Sequence, residues 1–147
     1  MANISNVASV TEGLSQVLTD TYRLIQKTHI YHWNVTGPLF YAVHKMTEEQ
    51  YTDMFAASDV LAERIRALGE LAVVGSAGPG SAAEADASLT AQEMVKDLQA
   101  DNEELARRMR ALVETAEASE DPATADLATE RAAFHEKTAW MLRATAG

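Results

Sequence analysis

Cysteine is absent from the 147-residue chain. Disulfide frameworks, zinc ribbons, iron–sulfur clusters and thiolate nucleophiles are excluded with it. Any metal must therefore sit on imidazole and carboxylate groups. Positive charge is scarce: 12 Lys and Arg stand against 22 Asp and Glu, a formal net charge of −10. Such a surface repels phosphate backbones, so neither DNA nor an anionic membrane is expected as a direct partner. There is no long apolar run, and the first basic residue is Arg23. Neither a signal peptide nor a bilayer span is expected, and the cytoplasm is the default compartment. The length suits a single domain over 1–147, which at this size buries roughly 70% of its unfolded surface without staples.

Glycine (7) and proline (3) are so few that each one punctuates. Gly37–Pro38, Gly69, the 75–80 stretch and Pro122 divide the chain into four segments. Within these the apolar residues recur at spacings of three and four. The first has Val10, Leu14, Val17, Leu18, Thr21, Ile25 and Thr28; the second has Phe40, Val43, Thr47, Met54, Ser58, Leu61, Ile65 and Leu68. The third has Met94, Leu98, Leu105, Met109 and Leu112, and the fourth Leu127, Phe134, Thr138 and Met141. Strand-like alternation is absent. Thr90 with Glu93 fits a capping box, and Asp121–Pro122 fits a cap followed by proline at the first helical position. The pattern predicts helices near 5–35, 38–68, 90–117 and 121–144. Residues 69–89 form one long connection, with a short helical turn at 81–87. Two hairpins joined by a crossover between the second and third helices describe an all-α, ferritin-like four-helix bundle.

Three of the four histidines, His29, His32 and His44, fall within sixteen residues. Glu48, Asp59 and Glu63 follow on the helix that carries His44. His44 with Glu48, and Asp59 with Glu63, are i,i+4 pairs, each on one helix face. Fifteen residues separate His44 from Asp59, roughly 22 Å along a straight helix and close to four whole turns. The pairs point the same way but cannot share a metal within one subunit. Two copies packed antiparallel about a two-fold axis near Asp53–Met54 would bring His44 and Glu48 of one to Asp59 and Glu63 of the other. Such a dimer makes its sites in pairs. His32, at the end of the first helix, would join beside His44. Two imidazoles with up to three carboxylates suit iron, with zinc or manganese as competitors. The bland alternative is a solvated acidic face with ordinary helix-end histidines. No Glu-x-x-His occurs, so an intrasubunit di-iron centre is not expected and the interior should be plain hydrocarbon. The six methionines read as core filler.

The run His32-Trp33-Asn34-Val35-Thr36-Gly37, with Phe40, His44, Glu48, Asp59 and Ala62-Glu63-Arg64-Ile65, resembles the Dps family, the DNA-binding proteins from starved cells or mini-ferritins. The resemblance continues through Asp126-Leu127, Arg131, His135-Glu136-Lys137 and Trp140-Met141-Leu142-Arg143, spanning about residue 10 to 144. It implies a homododecameric shell of four-helix subunits, built from two-fold dimers, that oxidises Fe²⁺ and stores the ferric mineral. Hydrogen peroxide is the oxidant in much of the family, with O₂ the other candidate. The family's ferroxidase ligands fall on His32, His44 and Glu48 of one subunit and Asp59 and Glu63 of its two-fold partner. The family often has Asp where this chain has Glu48. Acidic residues near the start of the fourth helix line three-fold pores in the family; here Asp121, Asp126 and Glu130 match, although acids at a helix N-terminus also meet its dipole. Trp33 reads either as a trap for stray oxidising equivalents or as a helix-end plug. His29 reads as an outer ligand or hydrogen-bond donor, and His135 as packing. Basic tails, through which some members bind DNA, are not found in this sequence. The rival reading is a structural, nucleoid-protecting bundle with a degenerate metal site; a third is a zinc- or manganese-handling cage.

Overall fold

The computed structural model describes residues 4–76, 78 and 81–147. Four helices run through them: α1 (Ile4–Asn34), α2 (Phe40–Ala67), α3 (Ala91–Ala118) and α4 (Pro122–Ala146). No strand occurs among the described residues. α1 packs against α2 and α3 against α4, and α1 lies on α3 to join the two hairpins.

The helix ends follow local chemistry. At α3, the Thr90 hydroxyl accepts from Glu93 N–H while the Glu93 carboxylate accepts from Thr90 N–H. At α4, Asp121 caps and Pro122 follows, filling a position whose N–H has no partner in any helix. α2 stops in a Schellman motif: Glu70 N–H reaches Ile65 C=O and Gly69 N–H reaches Arg66 C=O, with Gly69 at φ +99°. α3 stops in the same motif, with Asp121 N–H on Ala116 C=O and Glu120 N–H on Glu117 C=O. Here the left-handed position is Glu120, at φ +56°. A side chain is strained in that region. Glu120→Gly should therefore stabilise the chain by about 1 kcal/mol, the relief exceeding the extra unfolded-state freedom of glycine. A thermal melt in which this variant unfolds below the parent contradicts the assignment.

Two sequence expectations are corrected. Residues 81–87 form no helical turn; only a turn at 87–88 is present. The polar groups of the crossover are committed to α1 instead. Gly75 N–H donates to Thr19 Oγ1, Ser81 Oγ to Asp20, Arg23 Nε to Ala82 C=O, and Asp86 N–H to the Tyr31 hydroxyl. An extended strap stapled along a helix leaves those groups no partners for helical turns of its own.

The interior is not plain hydrocarbon either. Leu14, Leu18, Leu24, Met54, Leu61, Ile65, Met94, Leu98, Met109 and Leu142 form the apolar core, Leu24 and Leu142 being members that the periodicity did not mark. Thr28, Thr47, Asn102, Arg131 and His135 are buried with them. α4 buries a stripe of small or polar residues, Thr124, Ala128, Arg131, His135 and Thr138, that ends in Leu142.

His135 is fully buried, and burial first, then the charge of Arg131, depresses its pKa from 6.5 to about 3. Between those values the unfolded chain holds a proton that the folded chain refuses. Stability should therefore fall as pH drops below about 6.5, by up to about 1.4 kcal/mol per pH unit. Urea titrations from pH 7 to 4 should show a shallower slope for His135→Gln; identical slopes would rule His135 out as the source.

Candidate metal centre

Residues 35–39 turn the chain from α1 into α2, with Gly37 at φ +91°. The left-handed backbone there favours glycine. The turn lays the last turn of α1 against the first turns of α2, and His32 against His44. Their rings stack with centroids 3.8 Å apart and planes 13° from parallel. His32 Nδ1 lies 2.7 Å from the His44 carbonyl oxygen, and His44 Nδ1 lies 2.7 Å from the His32 carbonyl oxygen. A carbonyl only accepts, so both Nδ1 atoms carry protons. In the neutral rings both Nε2 atoms then keep their lone pairs for a metal. Thr47 supports the arrangement: its hydroxyl donates to Val43 C=O at 2.6 Å and lies 3.3 Å from His32 Nδ1.

Aromatic rings wall this pair. Phe40 stacks on His44 at 5.0 Å, and Tyr51 meets His32 edge-on at 5.2 Å. His29 sits between Trp33 (4.0 Å) and Tyr51 (4.4 Å), its ring 6.0 Å from that of His32. Trp33 is 61% exposed in the single subunit, with one face of its ring packed against His29.

Glu48, one turn beyond His44, is exposed, as are Asp59 and Glu63 further along α2. His32 and His44 are thus brought together, with Glu48 beside them. Asp59 and Glu63 are not brought to them. Among the described residues no three His, Asp or Glu side chains converge as a complete metal site. At the level midway between the two halves, Met54 points into the core and Asp53 turns to Arg131 of α4 at 2.8 Å. What faces outward there is Phe55, 62% exposed. By helical phase it lies on the same side as His44, Glu48 and Asp59.

The three acids near the start of α4 separate in role. Asp121 accepts from Thr124 N–H (3.1 Å), the Thr124 hydroxyl (2.6 Å) and Arg64 Nη2 (2.8 Å). Burial works against its ionisation, but these hydrogen bonds and the Arg64 charge outweigh it and hold the carboxyl below its ordinary range. Asp126 and Glu130 stand exposed one turn apart. Thr47 and Tyr51 were not anticipated at the centre. Their spacing of three and seven from His44 is the signal that places them on its face.

The chain matches the ferritin-like domain family over residues 11–147. It is 36% identical over 124 residues to the DNA protection during starvation protein of Brevibacillus brevis, covering 82% of this chain and 83% of that protein. Identity to DNA protection during starvation protein 2 of Bacillus anthracis is 36% over 138 residues, covering 92% and 94%. The crystal structure of a Dps protein from Bacillus brevis superimposes with a TM-score of 0.88 at 32% identity, covering 97% of each chain. Antigen TpF1 from Treponema pallidum superimposes at 0.89 and 29% identity, covering 99% of this chain and 96% of that one.

Proposed function

The chain belongs to the ferritin-like proteins and, within them, to the Dps family, and from that premise we propose that it is a ferroxidase and iron-storage subunit working as a two-fold dimer within a dodecameric cage. The observation that carries this reading is a pair of half-sites along α2, one of them completed by His32 from the end of α1. His32, His44 and Glu48 stand at one end, and Asp59 and Glu63 at the other, roughly 22 Å apart, with the three carboxylates exposed, His44 partly exposed and His32 buried beneath it. The exposed ring of Phe55 lies between them. A second copy packed antiparallel over Phe55 buries the ring and completes two sites at once.

The substrate is Fe²⁺, with hydrogen peroxide as oxidant. Two ferrous ions give one electron each, the peroxide O–O bond takes up both, and two hydroxides result, so no hydroxyl radical leaves the site. His32 and His44 offer Nε2, aimed and locked by their Nδ1–H bonds. Glu48, with the partner subunit's Asp59 and Glu63, supplies negative charge that favours Fe³⁺ over Fe²⁺ and so promotes electron loss. Asp126 and Glu130 would draw cations toward a three-fold pore by focused negative potential; Asp121 is held by Arg64 and the α4 N-terminus instead.

Stopped-flow Fe²⁺ oxidation tests the proposal. With peroxide the parent should be fast and with O₂ slower, and His44→Leu should be slow with both while eluting at the parental size. A parent that oxidises iron no faster than buffer leaves the chain a structural bundle; zinc or manganese copurifying in stoichiometric amount favours a cage for those metals.

A cage of such acidic subunits should not bind duplex DNA without bridging cations. No gel shift is expected in chelator at moderate salt, and a persistent shift there refutes this. No helix among the described residues is long and apolar enough to cross a membrane.

A further inference from the structure

The polar groups buried at mid-bundle converge on one level. Tyr51 touches His29, so Thr28 and Gln50, their sequence neighbours, lie level on α1 and α2. Lys27 pairs with Asp101 of α3, and His135 of α4 bonds Asn102, the next residue. Arg131, one turn before His135, reaches Asp53, one turn after Gln50. Six atoms in this layer are fully buried yet find no hydrogen-bond partner: Thr28 Oγ1, both amide atoms of Gln50, Nε and Nη2 of Arg131, and His135 Nε2. Native interiors rarely leave such groups unpaired. Beside them, between α2 and α4, lies a cavity of about 260 Å³ whose lining includes Glu49, Gln50, Asp53, Phe134, Lys137 and Thr138.

We propose that this layer is an internal binding site for a small neutral hydrogen-bonding molecule, water or hydrogen peroxide, held by Thr28, Gln50, Arg131 and His135 and reached through the α2–α4 cavity. The chemistry of the atoms selects the ligand class. Asn102 donates its amide N–H to Leu98 C=O, so its oxygen faces His135 Nδ1, and that nitrogen must carry the proton. His135 Nε2 is therefore a bare acceptor. Arg131 Nε and Nη2 and the Gln50 amide nitrogen are donors, the Gln50 oxygen is an acceptor, and the Thr28 hydroxyl is both. A ligand must give and take hydrogen bonds together. Cations are turned away by the guanidinium of Arg131, as an arginine does in a water-selective pore. Anions are turned away by the lone pair of His135 and by Asp53, which already neutralises Arg131. One water or peroxide can donate its two O–H groups to His135 Nε2 and the Gln50 oxygen while its lone pairs accept from two of the donors, and a polar cavity with several partners is the kind that holds water.

Crystals of the full chain grown without added metal test this, without iron and so independently of the ferroxidase reading. One set is left in buffer, one is soaked in hydrogen peroxide, and one is soaked in Zn²⁺ and measured for anomalous scattering. Density for one oxygen within hydrogen-bond reach of His135 Nε2 and Gln50 is expected in buffer. In peroxide, an unchanged peak identifies water as the occupant, and an elongated two-oxygen peak identifies peroxide; both uphold the site. Gln50→Leu with His135→Leu should remove the peak. A dry layer in which Gln50 and Arg131 have turned to protein partners overturns the proposal. So does an anomalous zinc peak at His135 Nε2, or a peak that survives the double variant.

Discussion

Replacing Asp59 and Glu63 together by alanine is expected to slow peroxide-dependent Fe²⁺ oxidation on the order of 100-fold. Loss of groups that merely orient metal ligands already costs 10–100-fold, and these would be ligands. Both side chains are exposed in the subunit, so stability of the individual chain should change little. The same loss is expected for His32→Ala with His44→Ala. The two inactive chains distinguish a shared site from an internal one. In a mixed dimer, one site pairs the intact histidines of the first chain with the intact acids of the second, while the other site is defective on both sides. With random pairing about a quarter of parental sites return on co-expression. Restored activity in coeluting mixed assemblies establishes sharing between subunits. A mixture as inactive as its components means that the acids on α2 do not complete the histidine site across a two-fold axis.

The parts of this arrangement that were legible in the sequence are those set by helix geometry. Of the eight residues that the three-and-four periodicity marked on the second segment, Val43, Thr47, Met54, Ser58, Leu61 and Ile65 are buried, while Phe40 is exposed and Leu68 is only partly buried. On α3 the periodicity marked Met94, Leu98, Leu105, Met109 and Leu112, and all five are buried. α4 was harder to read: of the marked Leu127, Phe134, Thr138 and Met141 only Thr138 is buried. The inward residues there are alanines, Arg131 and His135, types that composition assigns as readily to a surface. The same blindness produced the expectation of a plain hydrocarbon interior. The phase relation between His44 and Asp59 needed only 3.6 residues per turn. The crossed Nδ1 bonds of His32 and His44 were not legible, because they depend on how the Gly37 turn sets two helices side by side. Nor was the crossover strap, whose conformation is decided by partners on α1 up to 61 residues away in sequence.

Lys27→Met should be the most damaging substitution away from the proposed ferroxidase site, at about 3–5 kcal/mol. The Lys27 side chain is 2% exposed and lies 2.8 Å from Asp97 and 2.7 Å from Asp101, on the facing helix α3. Tyr31 donates its hydroxyl to Asp97 as well. Methionine fills the same space but leaves two carboxylates at the α1–α3 contact with no cation between them. The pH dependence identifies the cause. In the parent, burial already raises the Asp101 carboxyl above its ordinary range, against the pull of Lys27. Without the ammonium it must rise further. An acid whose folded pKa is raised gains stability as pH falls through that value, so the Lys27→Met deficit should be larger at pH 8 than at pH 5. The His135 contribution acts on both proteins and cancels from the difference. Adding Asp101→Leu should recover part of the loss at pH 8, since a charge removed with its partner leaves nothing unpaired. Urea titrations at one fixed protein concentration, which keeps assembly constant, measure all of this. A deficit that is flat with pH and unrelieved by Asp101→Leu would assign the loss to packing instead of charge. The strap would then be the place to look, because Tyr31, one turn along α1 from Lys27, also receives Asp86 N–H from it.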